Sequence, residues 1–274
     1  MKYILLFLCL LSSVACTKLS IGYSLGSRQI KGRIQDSFDF DTKKKRYEID
    51  STLSEQFDSH KNKVFAEFLD CFENLNLIAN QKKISEEDLL KLYDRVKTAQ
   101  VKNIGLFKES FKKVVFSIED HELNSFKKYS SDKTNEFRKK LENETRFIEE
   151  KQENIEKTIR FFFDDISDDQ RKIVQEFVNK NIKFYKNQIE VRKGFFDNFI
   201  KLYPDHQKMM ELAIGYYSGD QLYRDLDYIK ERQAFEKEVA GLILKIWDNS
   251  SLKQRKNFFE VLSEIILNLK NEIK

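Results

Sequence analysis

The sequence predicts an all-α protein: an elongated antiparallel helical bundle with a long charged helical arm and no sheet. Three observations carry that expectation. Only 8 Gly and 1 Pro occur in 274 residues, and Gly22, Gly26 and Gly32 share one N-terminal stretch. Too few turn formers remain for a sandwich, barrel or propeller. Charged residues make up 34% and hydrophobic ones 41%, which excludes a disordered tail and a polytopic membrane protein. Beyond Thr42 the apolar residues recur at spacings of three, four or seven, the period of an amphipathic helix.

The N-terminus reads as an export signal. Lys2 supplies a short positive region, Tyr3 to Leu11 an apolar run, and small residues lead into Cys16. Spanning a bilayer takes ~20 apolar residues, so residues 1–15 read as a signal peptide rather than an anchor helix. Ser13-Val14-Ala15-Cys16 resembles the bacterial lipobox, whose cysteine thiol is diacylated and becomes the first mature residue. The fit departs at Ser13, where Leu is usual; simple cleavage with Cys16 left free is the alternative. Two or three acyl chains on Cys16 would make attachment to membrane lipid stable, because one chain alone is marginal.

Residues 16–41 carry scattered Gly and Ser without a sustained period and are expected to be a lipidated tether followed by a docking segment. Residues 42–274 read as a single helical domain. Ile49, Leu53, Phe57, Val64, Phe68, Phe72 and Leu75 predict one long helix, broken at Asn80-Gln81-Lys82-Lys83. Cys71 falls on that stripe and reads as buried apolar filler. Ser85 is expected to cap the next helix, with Ile84 and Leu89 as its hydrophobic staple. That helix carries Leu89, Tyr93, Val96, Ile104, Phe107, Phe111 and Val114. Ser117 is expected to cap another, with Asp120 in its first turn. The stretch from Asp132 to Phe163 is highly charged, with a near-heptad seam at Phe137, Leu141, Ile148, Ile155, Ile159 and Phe162. Its 132–158 part is expected to project as an arm, and Phe161-Phe162-Phe163 to be buried. Helices are then expected over 168–202, 205–217, 221–247 and 252–272, with Gly215 and Gly219 bracketing a turn.

Two of these helix starts match. Ser167-Asp168-Asp169-Gln170-Arg171-Lys172 and Ser251-Leu252-Lys253-Gln254-Arg255-Lys256 both read S-x-x-Q-R-K, 84 residues apart. The match extends from 159–185 to 243–269, including Phe163 with Trp247, both expected to be mostly buried. In each, Ser167 with Gln170 and Ser251 with Gln254 form a capping box, in which the two side chains satisfy two orphan amides. Duplication and independent use of the same cap both remain open.

A family resemblance rests on these residues. The lipobox, Leu19-Ser20-Ile21-Gly22-Tyr23, the acidic approach Asp36-Ser37-Phe38-Asp39-Phe40-Asp41 and the repeated apolar-[Ser/Thr]-x-x-Gln-Arg helix starts resemble a family of uncharacterised proteobacterial lipoproteins, all helical and of about this length. The chain departs from that pattern over Ser24 to Ile34, and at Ile166 and Ser250 where Leu is favoured. The resemblance implies location and fold only. By analogy with other Gram-negative lipoproteins, Thr17 rather than Asp after Cys16 implies the outer membrane, facing the periplasm, with the cell surface as the alternative. The cap is also similar to the Leu-Thr-x-x-Gln element of small periplasmic holdase chaperones, over one tetrapeptide.

Chemistry-bearing motifs are sparse. Lys+Arg 49 against Asp+Glu 45 gives a net +4, with the signs interspersed rather than gathered into the basic stripe of a nucleic-acid binder. Lys43-Lys44-Lys45-Arg46 reads as a solvated helix face, an anionic lipid surface being the alternative. His60, His121 and His206 lack partners at metal-ligand spacing. Asp164, Asp165, Asp168 and Asp169 lack the glycine and bidentate glutamate of a calcium loop. No phosphate-binding or nucleophile-elbow fingerprint occurs. The expectation is therefore no metal, no cofactor, no nucleic-acid partner and no indicated small-molecule substrate. It points to a lipid-anchored envelope protein that binds or scaffolds an envelope protein partner and is not an enzyme. A holdase-like periplasmic chaperone is the alternative, and an enzyme site assembled from distant helices a third class.

Overall fold

The computed structural model describes residues 19–219 and 226–273. Over these residues the chain is 89% helical, with eleven helices and no strand. They are α1 (Leu19–Phe38), α2 (Lys43–Ala79), α3 (Glu86–Leu106), α4 (Lys108–Phe116), α5 (Asp120–Glu142), α6 (Glu144–Phe163), α7 (Asp168–Lys180), α8 (Ile182–Lys201), α9 (His206–Ser218), α10 (Leu226–Asp248) and α11 (Leu252–Ile273). The signal segment and Cys16 lie outside the described residues.

The stripe read over 49–75 becomes α2, whose 37 residues make it about 55 Å long at 1.5 Å per residue. Ile49, Leu53 and Phe57 enter one apolar core, with Phe126, Phe199 and Met209. Val64, Phe65 and Phe72 enter a second, with Phe162, Phe177, Phe235 and Leu262. The helix α8 does the same, giving Tyr185 to the second core and Phe195 and Phe199 to the first. Around this frame α2 packs against α3 and α11, α1 against α5, and α10 against α3 and α7.

Several local readings change. Over Leu19–Phe38 the expected tether and docking segment is a helix. Its apolar contacts gather near its two ends, which is why no period shows. Tyr23 sets its ring edge against Phe57 and Phe65 and donates its hydroxyl to the Phe57 carbonyl at 2.9 Å. Phe38, and Phe40 just beyond the helix, are buried. The charged 132–158 stretch spans two helices broken at Asn143, whose side chain caps α6. It keeps a charged outer face but does not project, because Phe147 is buried in the second core and Leu141, Ile148 and Ile155 pack against it. The helix expected over 168–202 divides at Asn181, whose buried amide donates to the Phe177 carbonyl. Gly215 lies buried within α9, and Gly219, at φ 79°, closes it in the left-handed conformation that suits glycine. Phe162 and Phe163 are buried, and Trp247 is mostly buried, packed against the same core with the Arg255 guanidinium 5.0 Å from its ring.

Ser117 does not cap α5. Its amide and hydroxyl bond back to Lys113 and Val114, closing α4. Ile118 is then buried, and α5 starts at Glu119. The sequence signal for this start lay three residues on, at Glu122, whose side chain is wholly buried. Its carboxylate accepts from the Glu119 amide at 3.0 Å, the Lys45 ammonium at 2.8 Å and the Asp41 amide at 3.4 Å. Burial pushes its pKa up, but these hydrogen bonds outweigh burial and hold it below its ordinary value of 4.5. Stability from ionised Glu122 is therefore present above about pH 4.5 and lost as pH falls through the lower folded value. Glu122→Gln should cost about 1–3 kcal/mol at pH 7 and reduce the loss of stability on acidification, as read by urea unfolding at pH 7 and pH 3.5. An unchanged pH dependence would contradict the assignment.

Candidate functional site

The two matched helix starts meet inside the protein. Each forms a reciprocal box: Ser167 N–H donates to Gln170 Oε1 at 2.9 Å, and Gln170 N–H to Ser167 Oγ at 3.2 Å. The second has Ser251 N–H to Gln254 Oε1 at 2.9 Å and Gln254 N–H to Ser251 Oγ at 3.1 Å. Both glutamines are buried, at 0% and 8% exposure, and Gln254 Nε2 donates to Gln170 Oε1 at 2.9 Å. Further bonds cross between the units, among them Gln254 Nε2 to the Asp165 carbonyl at 3.1 Å. Gln170 Nε2 reaches the Ile246 carbonyl, and Asn257 Nδ2 reaches the Phe162 carbonyl, where 162 and 246 are equivalent positions. The helices follow suit, α6 packing on α11 and α10 on α7. The 84-residue match is thus a physical pairing of two helix–turn–helix units.

Phe162 and Ile246, whose carbonyls hold that pair, also line a cavity of about 220 Å³. Leu75 and Ala79 of α2 and Leu89 and Val96 of α3 form one side; Ile155 and Ile159 of α6 form another. Phe235, Val239 and Ala240 of α10, with Trp247 and Phe258, complete it, and the exposed Ile243 stands at its edge. Polar groups on the wall are few. Tyr93 donates to Glu236 Oε1 at 2.6 Å; Arg232 donates to the same oxygen at 2.8 Å and to the Tyr93 hydroxyl at 3.1 Å. This network ties α3 to α10, and burial raises the Tyr93 hydroxyl pKa despite the lowering pull of Arg232. Tyr185 also lines the cavity at 2% exposure; its hydroxyl has no hydrogen-bond partner, and burial raises its pKa. A second hollow of about 410 Å³, by Asn198, Lys201 and Lys208, is an open dent between α8 and α9.

The other singled-out residues lie apart. Ser85 caps α3 in a box completed by Asp88. Cys71 is buried, which pushes its thiol up to about 11. His121 and His206 donate to the carbonyls of Asp39 and Ile118, and His60 contacts Gln56. Among the described residues no group of three or more His, Cys, Asp or Glu could hold a metal ion, and no helix is long and apolar enough to cross a membrane.

A family of unknown function (DUF6279) matches over residues 36–214, well over half of the chain. The chain belongs to the DUF6279 family. No curated protein and no solved structure matches it. The DUF6279 match takes in α2 through α8 and with them Ser167 and Gln170, while α10 and α11, which supply Phe235, Trp247 and Gln254, lie beyond it.

The cavity and its polar wall were not foreseen from the residues. Tyr93 sat on the α3 stripe as a core residue. The Arg232/Glu236 spacing of four is a signal for an ion pair, but not for a tyrosine arriving from 139 residues away.

The glutamine pair makes a quantitative expectation. Gln170→Leu or Gln254→Leu alone strands buried amides and should cost about 1–3 kcal/mol. The double variant should cost less than the sum, with a coupling of about 0.5–3 kcal/mol, measured by a double-mutant cycle in urea. Ser167→Ala and Ser251→Ala should each cost about 0.5–2 kcal/mol. Strict additivity of the glutamine variants would mean the pair is not energetically joined.

Proposed function

We propose that the protein is a lipid-anchored lipoprotein of the cell envelope, held through acylated Cys16 at the outer membrane with its body facing the periplasm, and that its role there is binding rather than catalysis. The anchoring half is supported by the positive–apolar–small pattern of residues 1–15 ending in Ser13-Val14-Ala15-Cys16. The helical body is neutral on this point. With one free cysteine in the described residues it has no internal disulfide, so stability rests on packing that needs no particular redox compartment.

The binding half rests on one observation, the apolar cavity of about 220 Å³ between the paired units. Protein interiors are close-packed with few voids larger than water, so a space of this size lined almost wholly by aliphatic and aromatic side chains is the default binding site. Of the titratable groups that line it, Tyr93 and Glu236 bond to each other and to Arg232 behind them. That arrangement suits a wall better than acid–base chemistry.

Membrane fractionation of the native host tests the anchor. The parent protein should stay with membranes after a high-salt wash, and Cys16→Ala should lose both that retention and incorporation of labelled palmitate. Retention of Cys16→Ala on washed membranes would overturn acylation as the anchor.

A further inference from the structure

One cation beside the cavity has no counter-ion among the described residues. Lys151 lies on α6 one turn from Ile155, which lines the cavity. Its ammonium is 4.9 Å from the centroid of the Phe147 ring and 5.5 Å from that of Tyr185, whose side chain also lines the cavity. Within the described residues Lys151 makes no ion pair and no hydrogen bond. Its neighbour Glu150 is engaged elsewhere, by Lys140 at 3.6 Å and Arg146 at 3.7 Å. Burial lowers the Lys151 pKa most; Glu150 opposes that shift, and the charges of Lys140 and Arg192 add to it. A half-buried cation crowded by two others is a place where an incoming anion would be favoured.

The cavity runs lengthwise between helices. Its wall extends on α6 from Ile155 to Phe163, about 12 Å at 1.5 Å per residue, and on α10 from Phe235 to Trp247, about 18 Å. The Phe163 and Trp247 rings meet at 6.3 Å, and those of Tyr185 and Phe235 at 5.6 Å. The two walls therefore run side by side, with Trp247 marking one end and Tyr185, next to Lys151, the other. A cavity of ~150 Å³ holds benzene, so one of about 220 Å³ has room for an unbranched chain of roughly eight carbons. It does not admit a client's helix, which is about 10 Å across with its side chains. The carboxylate on the wall, Glu236, is already held by Tyr93 and Arg232. The lysine stem is long and flexible, so the Lys151 ammonium can turn to a head group at its end without backbone movement.

We propose that the cavity between α2, α3, α6, α8, α10 and α11 binds one medium-chain fatty carboxylate, its hydrocarbon tail lying toward Trp247 and its carboxylate paired with the Lys151 ammonium. This rests on the binding role proposed above, names its ligand class and is independent of the Cys16 anchor. Absence of any amphiphile binding would overturn that role as well, whereas equal binding of charged and uncharged amphiphiles would overturn this assignment alone.

Trp247 is the only tryptophan in the chain and lines the cavity, which makes it a reporter for the tail end. The purified full chain carrying Cys16→Ala, with no acyl group of its own to compete, is titrated at pH 7 with 8-bromooctanoate, 2-bromooctanoate and 8-bromo-1-octanol, and bromine quenching of Trp247 is followed. The 8-bromo carboxylate should quench saturably and bind about three- to tenfold more tightly than the alcohol, the worth of one partly exposed ion pair. At saturation 2-bromooctanoate, whose bromine stays beside the carboxylate, should quench markedly less. Lys151→Met keeps an apolar stem over the Phe147 and Tyr185 rings; it should bring the carboxylate down to the affinity of the alcohol and leave the alcohol unchanged. Ala240→Phe, which fills the space, should weaken both amphiphiles with helix content retained. A carboxylate preference that survives Lys151→Met, no such preference in the parent protein, stronger quenching by the 2-bromo isomer, or quenching that does not saturate would each overturn the assignment.

Discussion

A helix start exposes amide groups that its own turns cannot satisfy, and here two such starts meet through a buried pair of glutamines. The structure answers with Gln170 and Gln254. Each glutamine caps its own helix through its oxygen, and their amide groups reach across to the other unit. Neither can be satisfied alone. This requirement fixes the starts of α7 and α11 side by side, and with them the crossed packing of α6 on α11 and of α10 on α7. Half-satisfied, the same network would be worse than an apolar core.

The pairing also accounts for the character of the cavity. The backbone carbonyls of Phe162 and Ile246 are used by Asn257 and Gln170, so those residues present the cavity with side chains alone. On the opposite wall the Tyr93–Glu236–Arg232 network satisfies itself while joining α3 to α10. Polar groups at both ends are turned toward each other, and the space between is lined almost wholly by apolar side chains. Tyr185 is the exception.

Periodicity and composition were enough to foretell an all-helical chain, the extent of α2, the Ser85 cap and the two S-x-x-Q boxes, because these depend on residues within one or two turns. The departures have longer-range causes. The helix α1 is anchored by Tyr23 and Phe38, with little between to mark a period. Ser117 has the chemistry of a cap, but burial of Ile118 places the start at Glu119, where Lys45 of α2 can meet Glu122. Asn143 and Asn181 break helices that the apolar pattern runs straight through, since both breaks leave the stripes on the same side. That the two S-x-x-Q motifs matched was plain; that their glutamines touch was not, because spacing along a chain carries no information about which copies meet.

Two separate cores would ordinarily let one end of a bundle open while the other held. In this chain α2 and α8 each run from one core into the other, and Tyr23 and Phe107 pack against both. Neither core can be undone without exposing half of a helix on which the other depends. The amides at the middle of α2 therefore belong to the slowest class in hydrogen exchange, released only by global rather than local opening, and the two ends melt as a single cooperative unit.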